Sequence, residues 1–237
     1  RRQIECKAGG RLRLNRREKP AVGDRVMVEE RGEEGLITQI LPRKNFLQRP
    51  PIANIDQLFI VASQASPVTD PYLIDKVSVI ALRQGIQPIL VLNKQDVNPS
   101  QDFRLIYEKA GFPVLSTSAE TGEGVEELRQ MLRGKVSAFT GNSGIGKSSL
   151  LNRLEEGVLM ETGSISRISR GRHTTRHVEL FRLRSGAIVA DTPGFSSFDT
   201  EELDLELKAR LPETFPEFAP YLGQCRFVGC SHVKEKG

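Results

Sequence analysis

The run Gly141-Asn142-Ser143-Gly144-Ile145-Gly146-Lys147-Ser148 fits the pattern G-x4-G-K-[ST], with Ser149 directly behind it. Such a run between a strand and a helix is suited to holding phosphates. Its glycines let backbone N–H groups approach phosphate oxygens, and the helix N-terminus adds a favourable dipole. Lys147 would reach the β- and γ-phosphates, and the Ser148 hydroxyl would ligate Mg²⁺. The bare pattern arises by chance in roughly one chain in a hundred of this length, and its bland reading is a Gly-rich turn capped by a helix.

Three further tetrapeptides and tripeptides have chemistry that fits a nucleotide. Asp191-Thr192-Pro193-Gly194 follows the short apolar run AIVA. Asp191 at a strand end near the phosphate loop can hold Mg²⁺ through water, and the Gly194 N–H is then free to sense a γ-phosphate. Asn93-Lys94-Gln95-Asp96 follows ILVL. The Asp96 carboxylate is a double acceptor matched to the N1–H and N2 amine of guanine, a donor pair that adenine lacks. Lys94 would lay its stem over the base, and Asn93 would tie this loop to the phosphate loop. Ser118-Ala119-Glu120 also ends a strand and could offer a backbone N–H to guanine O6. Alone, each of these is an ordinary polar turn.

The elements that must position these residues show in the hydrophobic pattern. QLFIVAS (57–63), PILVL, PVLSTSA and KVSAFTG are apolar runs of strand length. PYLIDKVSVIALRQG (71–85), DFRLIYEKAG, GVEELRQML and GKSSLLNRL have helical spacing and alternate with them. Alternation of this kind predicts a parallel sheet covered by helices. HVELFRL and AIVA add two strands around an Arg-Ser-Gly turn. Residues 4–41 read instead as the short strands IEC, RLRL, DRVMVEE and GLITQIL, which suits a small all-β barrel. After about residue 198 the sequence turns helical, Pro-rich and then cysteine-bearing.

Composition bounds the class. The chain has 237 residues, 38% apolar and 27% charged, so one to two domains with a sizeable core are expected and wholesale disorder is not. No apolar run approaches the roughly 18 residues of a membrane span, and no charged-then-apolar leader opens the chain. Three cysteines do not make a disulfide framework, and a cytoplasmic setting is expected. The net charge of +4 is unevenly spread. Residues 1–50 carry 13 Lys/Arg against 7 Asp/Glu, and residues 162–184 hold six Arg and one acid. Two basic segments fit either solvated surface or a phosphate-rich partner.

Order is the most informative feature. In ordinary small GTPases the phosphate loop comes first and the base loops last, whereas here N-K-x-D and S-A-E precede it and D-T-P-G ends the set. The chain thus resembles a circularly permuted GTPase, and among these it is similar to the ribosome-small-subunit-dependent GTPase A family over nearly its whole length. PRKNFLQRPPIANIDQ (42–57) resembles that family's junction between an OB-fold and the GTPase domain, GRHTTRHVELF (171–181) its switch I, and QCRFVGCSH (224–232) its zinc-binding segment.

The resemblance implies a multidomain molecule: an OB-fold barrel over 1–47 lacking its start, a permuted α/β P-loop GTPase domain over 48–198, and a mainly helical zinc-binding segment over 199–237. It implies GTP/GDP and Mg²⁺ as ligands, and the small ribosomal subunit with its rRNA as partner during late subunit maturation. No membrane partner is expected, and a monomer is the default state. Thr174 or Thr175, with Thr175 preferred, would join Ser148 and Asp191 around Mg²⁺. Phe195 stands where ordinary small GTPases keep a water-orienting Gln. His173, beside the switch threonines, is therefore the candidate to orient water, against a structural or RNA-facing role. With neither Gln nor an evident arginine finger, hydrolysis should be slow until a partner stimulates it. Arg167, Arg170, Arg172 and Arg176 flank the switch and suit rRNA phosphates. Cys225, Cys230 and His232 have the donor types and spacing of a zinc site. The family's fourth ligand would fall at position 238, past Gly237, so zinc retention is left open. Rival readings are an ATP-using P-loop enzyme, a non-hydrolysing RNA-binding clamp, and a permuted GTPase of the large subunit.

Overall fold

The computed structural model describes residues 3–10, 12, 19–48, 50–156, 178–183, 185–192 and 211–230. Among these residues six strands form a central sheet in the order β10-β11-β9-β6-β7-β8. They are β6 (Gln57–Ala62), β7 (Gln87–Leu92), β8 (Val114–Ser116), β9 (Val136–Gly141), β10 (Glu179–Arg182) and β11 (Ile188–Asp191). β6 is buried along its whole length, as a central strand covered on both faces must be.

Alternate residues of the strands feed two cores. Leu58, Ile60, Leu90 and Leu92 pack with Ile74, Val77 and Ala81 of α1 (Pro71–Arg83) and Tyr107 of α2 (Gln101–Lys109). Phe59, Val61, Ile89, Val91 and Phe139 face the other way, onto Leu128 and Leu132 of α3 (Val125–Leu132) and Leu150, Leu151 and Leu154 of α4 (Lys147–Glu156). Phe59 and Phe139 stack at 4.7 Å between ring centroids. The Asp70 carboxylate accepts the Tyr72 N–H at 2.9 Å and caps α1, and Pro71 suits its first turn.

The sheet is mixed, where a parallel one was expected. β10 runs antiparallel to β11, because the turn between Arg182 and Ile188 is too short for a crossover and closes as a hairpin. The other neighbouring pairs are parallel.

At the N-terminal end β1 (Glu5–Ala8), β2 (Val26–Arg31) and β3 (Glu34–Ile40) form a three-stranded sheet in the order β1-β3-β2. β4 (Phe46–Leu47) and β5 (Ile52–Ala53) pair as a short ladder. Closure into a barrel is not among the described residues. The strand expected at RLRL does not form at Leu12, which is helical and donates its N–H to the Gly9 carbonyl at 3.0 Å. The paired Gly9-Gly10 turns the chain there before a strand can continue.

Past residue 210 the described chain makes two short 3-10 turns, Leu211–Thr214 and Pro216–Tyr221, within the stretch whose sequence reads as helical and Pro-rich. Three prolines between 212 and 220 remove backbone donors an α-helix would need. This segment packs on α1, and a Cβ on Gly111 would stand 3.6 Å from Pro216. No helix among the described residues is long and apolar enough to cross a membrane.

Candidate functional site

The C-terminal ends of β6, β7, β8 and β9 lie along one edge of the sheet, and the last three run straight into loops that the sequence marks. That edge is where open α/β sheets bind ligands. A cleft of about 460 Å³ opens there, lined by Ala65, Ser66, Asn93, Lys94, Asp96, Val97, Ala119, Glu120, Gly146 and Ser149. Its size is that of a small-molecule site.

Gly141 to Gly146 leave β9 and enter α4, whose first residue is Lys147. Gly146 has φ +91°, and a Cβ there would stand 2.3 Å from Asn93 Nδ2, so only glycine fits against that amide. Ile145 is buried and packs its side chain into the α3–α4 core. What it can present to a ligand is therefore backbone. Ser148 and Ser149 are exposed at the start of α4, where free N–H groups gather.

Asn93 holds three loops together. Its Nδ2 donates to the Ile145 carbonyl at 2.9 Å, and its Oδ1 accepts from Thr117 Oγ1 at 3.2 Å and from the Ala119 N–H at 3.1 Å. The side chain is 1% exposed, so each contact is made away from water. The Ala119 N–H, an obvious donor for guanine O6, is thereby engaged by Asn93. Asp96 and Ser118, 22 residues apart, meet directly: Ser118 Oγ donates to Asp96 Oδ1 at 2.5 Å. That bond orients the carboxylate and uses one acceptor site on Oδ1, leaving capacity on both oxygens for ligand donors.

Lys94 sits at φ +63°, an uncommon conformation for a side-chain-bearing residue. Its Nζ donates to the Ser66 carbonyl at 2.6 Å, stretching the stem along the cleft wall. Lys147 Nζ donates to the Thr192 carbonyl at 3.1 Å. Asp191 closes β11 beside Phe139 of β9, which puts its backbone one strand away from the phosphate loop.

His173, Thr174, Thr175, Gly194 and His232 lie outside the described residues, as do Phe195 and the arginines at 167, 170, 172 and 176. Cys225 and Cys230 are half-buried cysteines in the irregular segment after the second 3-10 turn, and neither is in a disulfide. Among the described residues no three His, Cys, Asp or Glu gather as a metal group.

Several contributors are missing from the motif reading. Ala65 and Ser66 form a cleft wall from the loop after β6. Thr117 braces Asn93. Arg153 of α4 donates to the carbonyls of Ala119 and Glu120. A helix-surface arginine and a short Ser/Ala loop carry no pattern that marks them in a single sequence.

A phosphate loop at β9, base-side loops at β7 and β8, and a chain that reaches the base side first together define a circularly permuted P-loop GTPase. The family model for the RsgA GTPase matches residues 40–201. The chain is 43% identical over 237 residues to a small ribosomal subunit biogenesis GTPase RsgA of Caldanaerobacter subterraneus subsp. tengcongensis, covering 98% of this chain and 79% of that one. It is 44% identical over 235 residues to the protein of the same name from Carboxydothermus hydrogenoformans, covering 97% and 80%. Among solved structures it is similar to YjeQ from Thermotoga maritima, with TM-score 0.73, 35% identity and coverage of 97% and 78%. It is also similar to YloQ, described as a circularly permuted GTPase, with TM-score 0.74, 31% identity and coverage of 98% and 76%. This chain belongs to the RsgA GTPase family, and so to the enzymes that hydrolyse GTP with Mg²⁺.

Proposed function

We propose that this chain is a GTPase of small ribosomal subunit biogenesis, which docks on the subunit with GTP bound and leaves after hydrolysis to GDP and phosphate. The observation that supports this reading most is the Asn93 junction of the two base-side loops with the phosphate loop, around a cleft of about 460 Å³.

In this reading guanine enters between Lys94 and the Ser118-Ala119-Glu120 loop. Asp96 accepts from N1–H and the N2 amine with the acceptor capacity that Ser118 leaves on its two oxygens. The backbone of Gly141, Asn142, Ser143, Gly144, Ile145 and Gly146, with Lys147, Ser148 and Ser149, cradles the phosphates. The exposed Ser148 hydroxyl fits a Mg²⁺ ligand, with Asp191 and Thr175 as its companions, and the ion would neutralise charge on the transferred phosphoryl group. Lys147 would exchange the Thr192 carbonyl for phosphate oxygens, a charge-assisted contact. Gly194 would report the γ-phosphate, and His173 would orient water.

The proposed parts are an OB-fold over 1–47, the GTPase domain over 48–198 and a zinc-binding segment over 199–237. The sulfurs of Cys225 and Cys230 suit a thiophilic ion, and with His232 they would supply three of its ligands. The basic balance of the N-terminal region suits rRNA phosphates, and a cytoplasmic monomer is the working state.

The test is GTP turnover titrated with purified small subunits. Phosphate release should be slow for the chain alone and rise saturably with added subunits, while large subunits give no rise. Release that is indifferent to small subunits overturns the proposal. Affinity for the subunit should also differ between a non-hydrolysable GTP analogue and GDP, and equal affinities overturn the docking cycle.

A further inference from the structure

We infer that Arg153 is a positioning residue for base recognition, and that it acts by fixing the two peptide planes that set the Ser118–Asp96 contact. The inference rests on the guanine-nucleotide reading above and assigns a role to a residue outside its motifs.

Arg153 lies in the last turn of α4, the helix that begins with Lys147. Its Nε donates to the Ala119 carbonyl at 2.9 Å and its Nη2 to the Glu120 carbonyl at 2.6 Å. One planar guanidinium therefore grips two successive carbonyls, a geometry that a fork of fixed donors holds better than a point charge. A trans peptide is planar, so its N–H points away from its C=O. Fixing the Ala119 carbonyl toward α4 turns the Glu120 N–H to the other side of the chain, and both residues line the cleft. Fixing the Glu120 carbonyl sets the Thr121 N–H, which donates to Ser118 Oγ at 3.0 Å. Ser118 Oγ in turn donates to Asp96 Oδ1 at 2.5 Å. The line from Arg153 to the Asp96 carboxylate contains three hydrogen bonds, one peptide plane and one hydroxyl.

The anchor is itself held. The Arg153 and Leu154 carbonyls are among the last of α4, which have no partner within the helix. Arg129 of α3 reaches them, its Nη2 lying 3.2 Å from Arg153 O and 3.3 Å from Leu154 O. Arg129 also pairs with Glu126 one turn earlier on α3. Arg129 thus fixes the backbone from which Arg153 reaches out, and the S-A-E loop is tied to the end of the helix that the phosphate loop begins.

The test measures binding of GDP and ADP, by competition with a fluorescent GDP, to the full chain and to Arg153→Gln, Arg153→Lys and Asp96→Asn. Arg153→Gln should weaken GDP about tenfold, the scale of one lost charge-assisted contact, and leave ADP unchanged. Partial unfolding would scale both nucleotides alike, so the GDP-to-ADP ratio separates positioning from stability. In turnover the same variant should raise KM for GTP about tenfold with kcat close to that of the parent. Arg153→Lys keeps the charge without the fork and should fall between the two. A GDP-to-ADP ratio unchanged in Arg153→Gln, beside a lost guanine preference in Asp96→Asn, overturns the role of Arg153 alone. Parent-like behaviour of Arg153→Lys also overturns positioning by the fork. Unaltered base preference in Asp96→Asn overturns the guanine reading and this inference with it.

Discussion

Two polar networks sit at opposite ends of β6 and β9, and they differ in what they leave open. At the N-terminal ends, Asp56 Oδ2 accepts the Val136 N–H at 2.8 Å and its Oδ1 accepts from Lys44 Nζ at 2.8 Å. Gln57 Nε2 donates to Ser137 Oγ and to the Met131 carbonyl, both at 2.9 Å. Nearby, Arg43 grips Asp24 with two parallel bonds of 2.7 and 2.8 Å, and Asn45 closes on both backbone groups of Ile55. These groups satisfy one another and join the small N-terminal sheet to the central one. At the C-terminal ends, Asn93 is as fully bonded, but Asp96, Lys94 and the phosphate loop surround a cleft. Both ends use Asn and Asp. Saturation among protein groups makes a joint, and a bonded frame around unspent donors and acceptors makes a site.

That contrast breaks most severely at Asn93. Asn93→Ala removes three contacts from a buried position and should cost about 2–4 kcal/mol in urea unfolding, with GDP binding weakened at least about a hundredfold. At the other end, Asp24→Ala strands Arg43 at a carboxylate site that is 2% exposed and should cost about 3 kcal/mol. GDP binding by the folded fraction should stay within about twofold of the parent. Should it fall in step with stability, the two ends would be one cooperative site, and the distinction between joint and site would fail.

Ser118→Ala comes next. It frees one Asp96 oxygen without removing the carboxylate, so GDP affinity should drop about fivefold with stability lowered by about 1 kcal/mol. Titration calorimetry beside urea unfolding gives both values.

The smallest effects are slopes with pH. For Asp56, burial works upward, but the Lys44 hydrogen bond, the Val136 N–H and the charges of Lys44 and Lys135 outweigh it and hold the carboxyl below its usual range. A depressed folded value contributes stability above the unfolded value of about 3.9, and that stability is lost as pH falls through the folded value. Asp75 goes the other way. Burial and the charge of Asp70 raise it against the hydrogen bond from Tyr107. The folded state then binds more protons than the unfolded one, so stability falls as pH rises from about 3.9 through the folded value. Urea midpoints from about pH 3 to about pH 7 should show a flatter acid limb for Asp56→Asn and a steeper rise with pH for Asp75→Asn.

Much of the nucleotide edge was legible because its motifs sit where short apolar runs end. The link from Asn93 to the phosphate loop followed from its place in N-K-x-D, and the structure puts its amide on Ile145. Less legible was anything set by contact between distant segments. Arg153 reads as a solvated helix arginine, and only the fold brings it to residues 33 and 34 positions earlier. The Ser66 carbonyl that receives Lys94 is a backbone group in a loop without a motif. RLRL alternates like a strand, yet Leu12 is helical, because two glycines ahead of it turn the chain. The antiparallel edge at β10 depended on the length of one turn, which the apolar pattern does not weigh.

The most direct measurement is turnover of GTP against xanthosine triphosphate by the parent chain and by Asp96→Asn. An amide in place of the carboxylate offers a donor where guanine also has one, and xanthine instead presents a carbonyl. The parent should prefer GTP and the variant should prefer xanthosine triphosphate. A variant that keeps the parent's preference for GTP would contradict guanine recognition at this cleft.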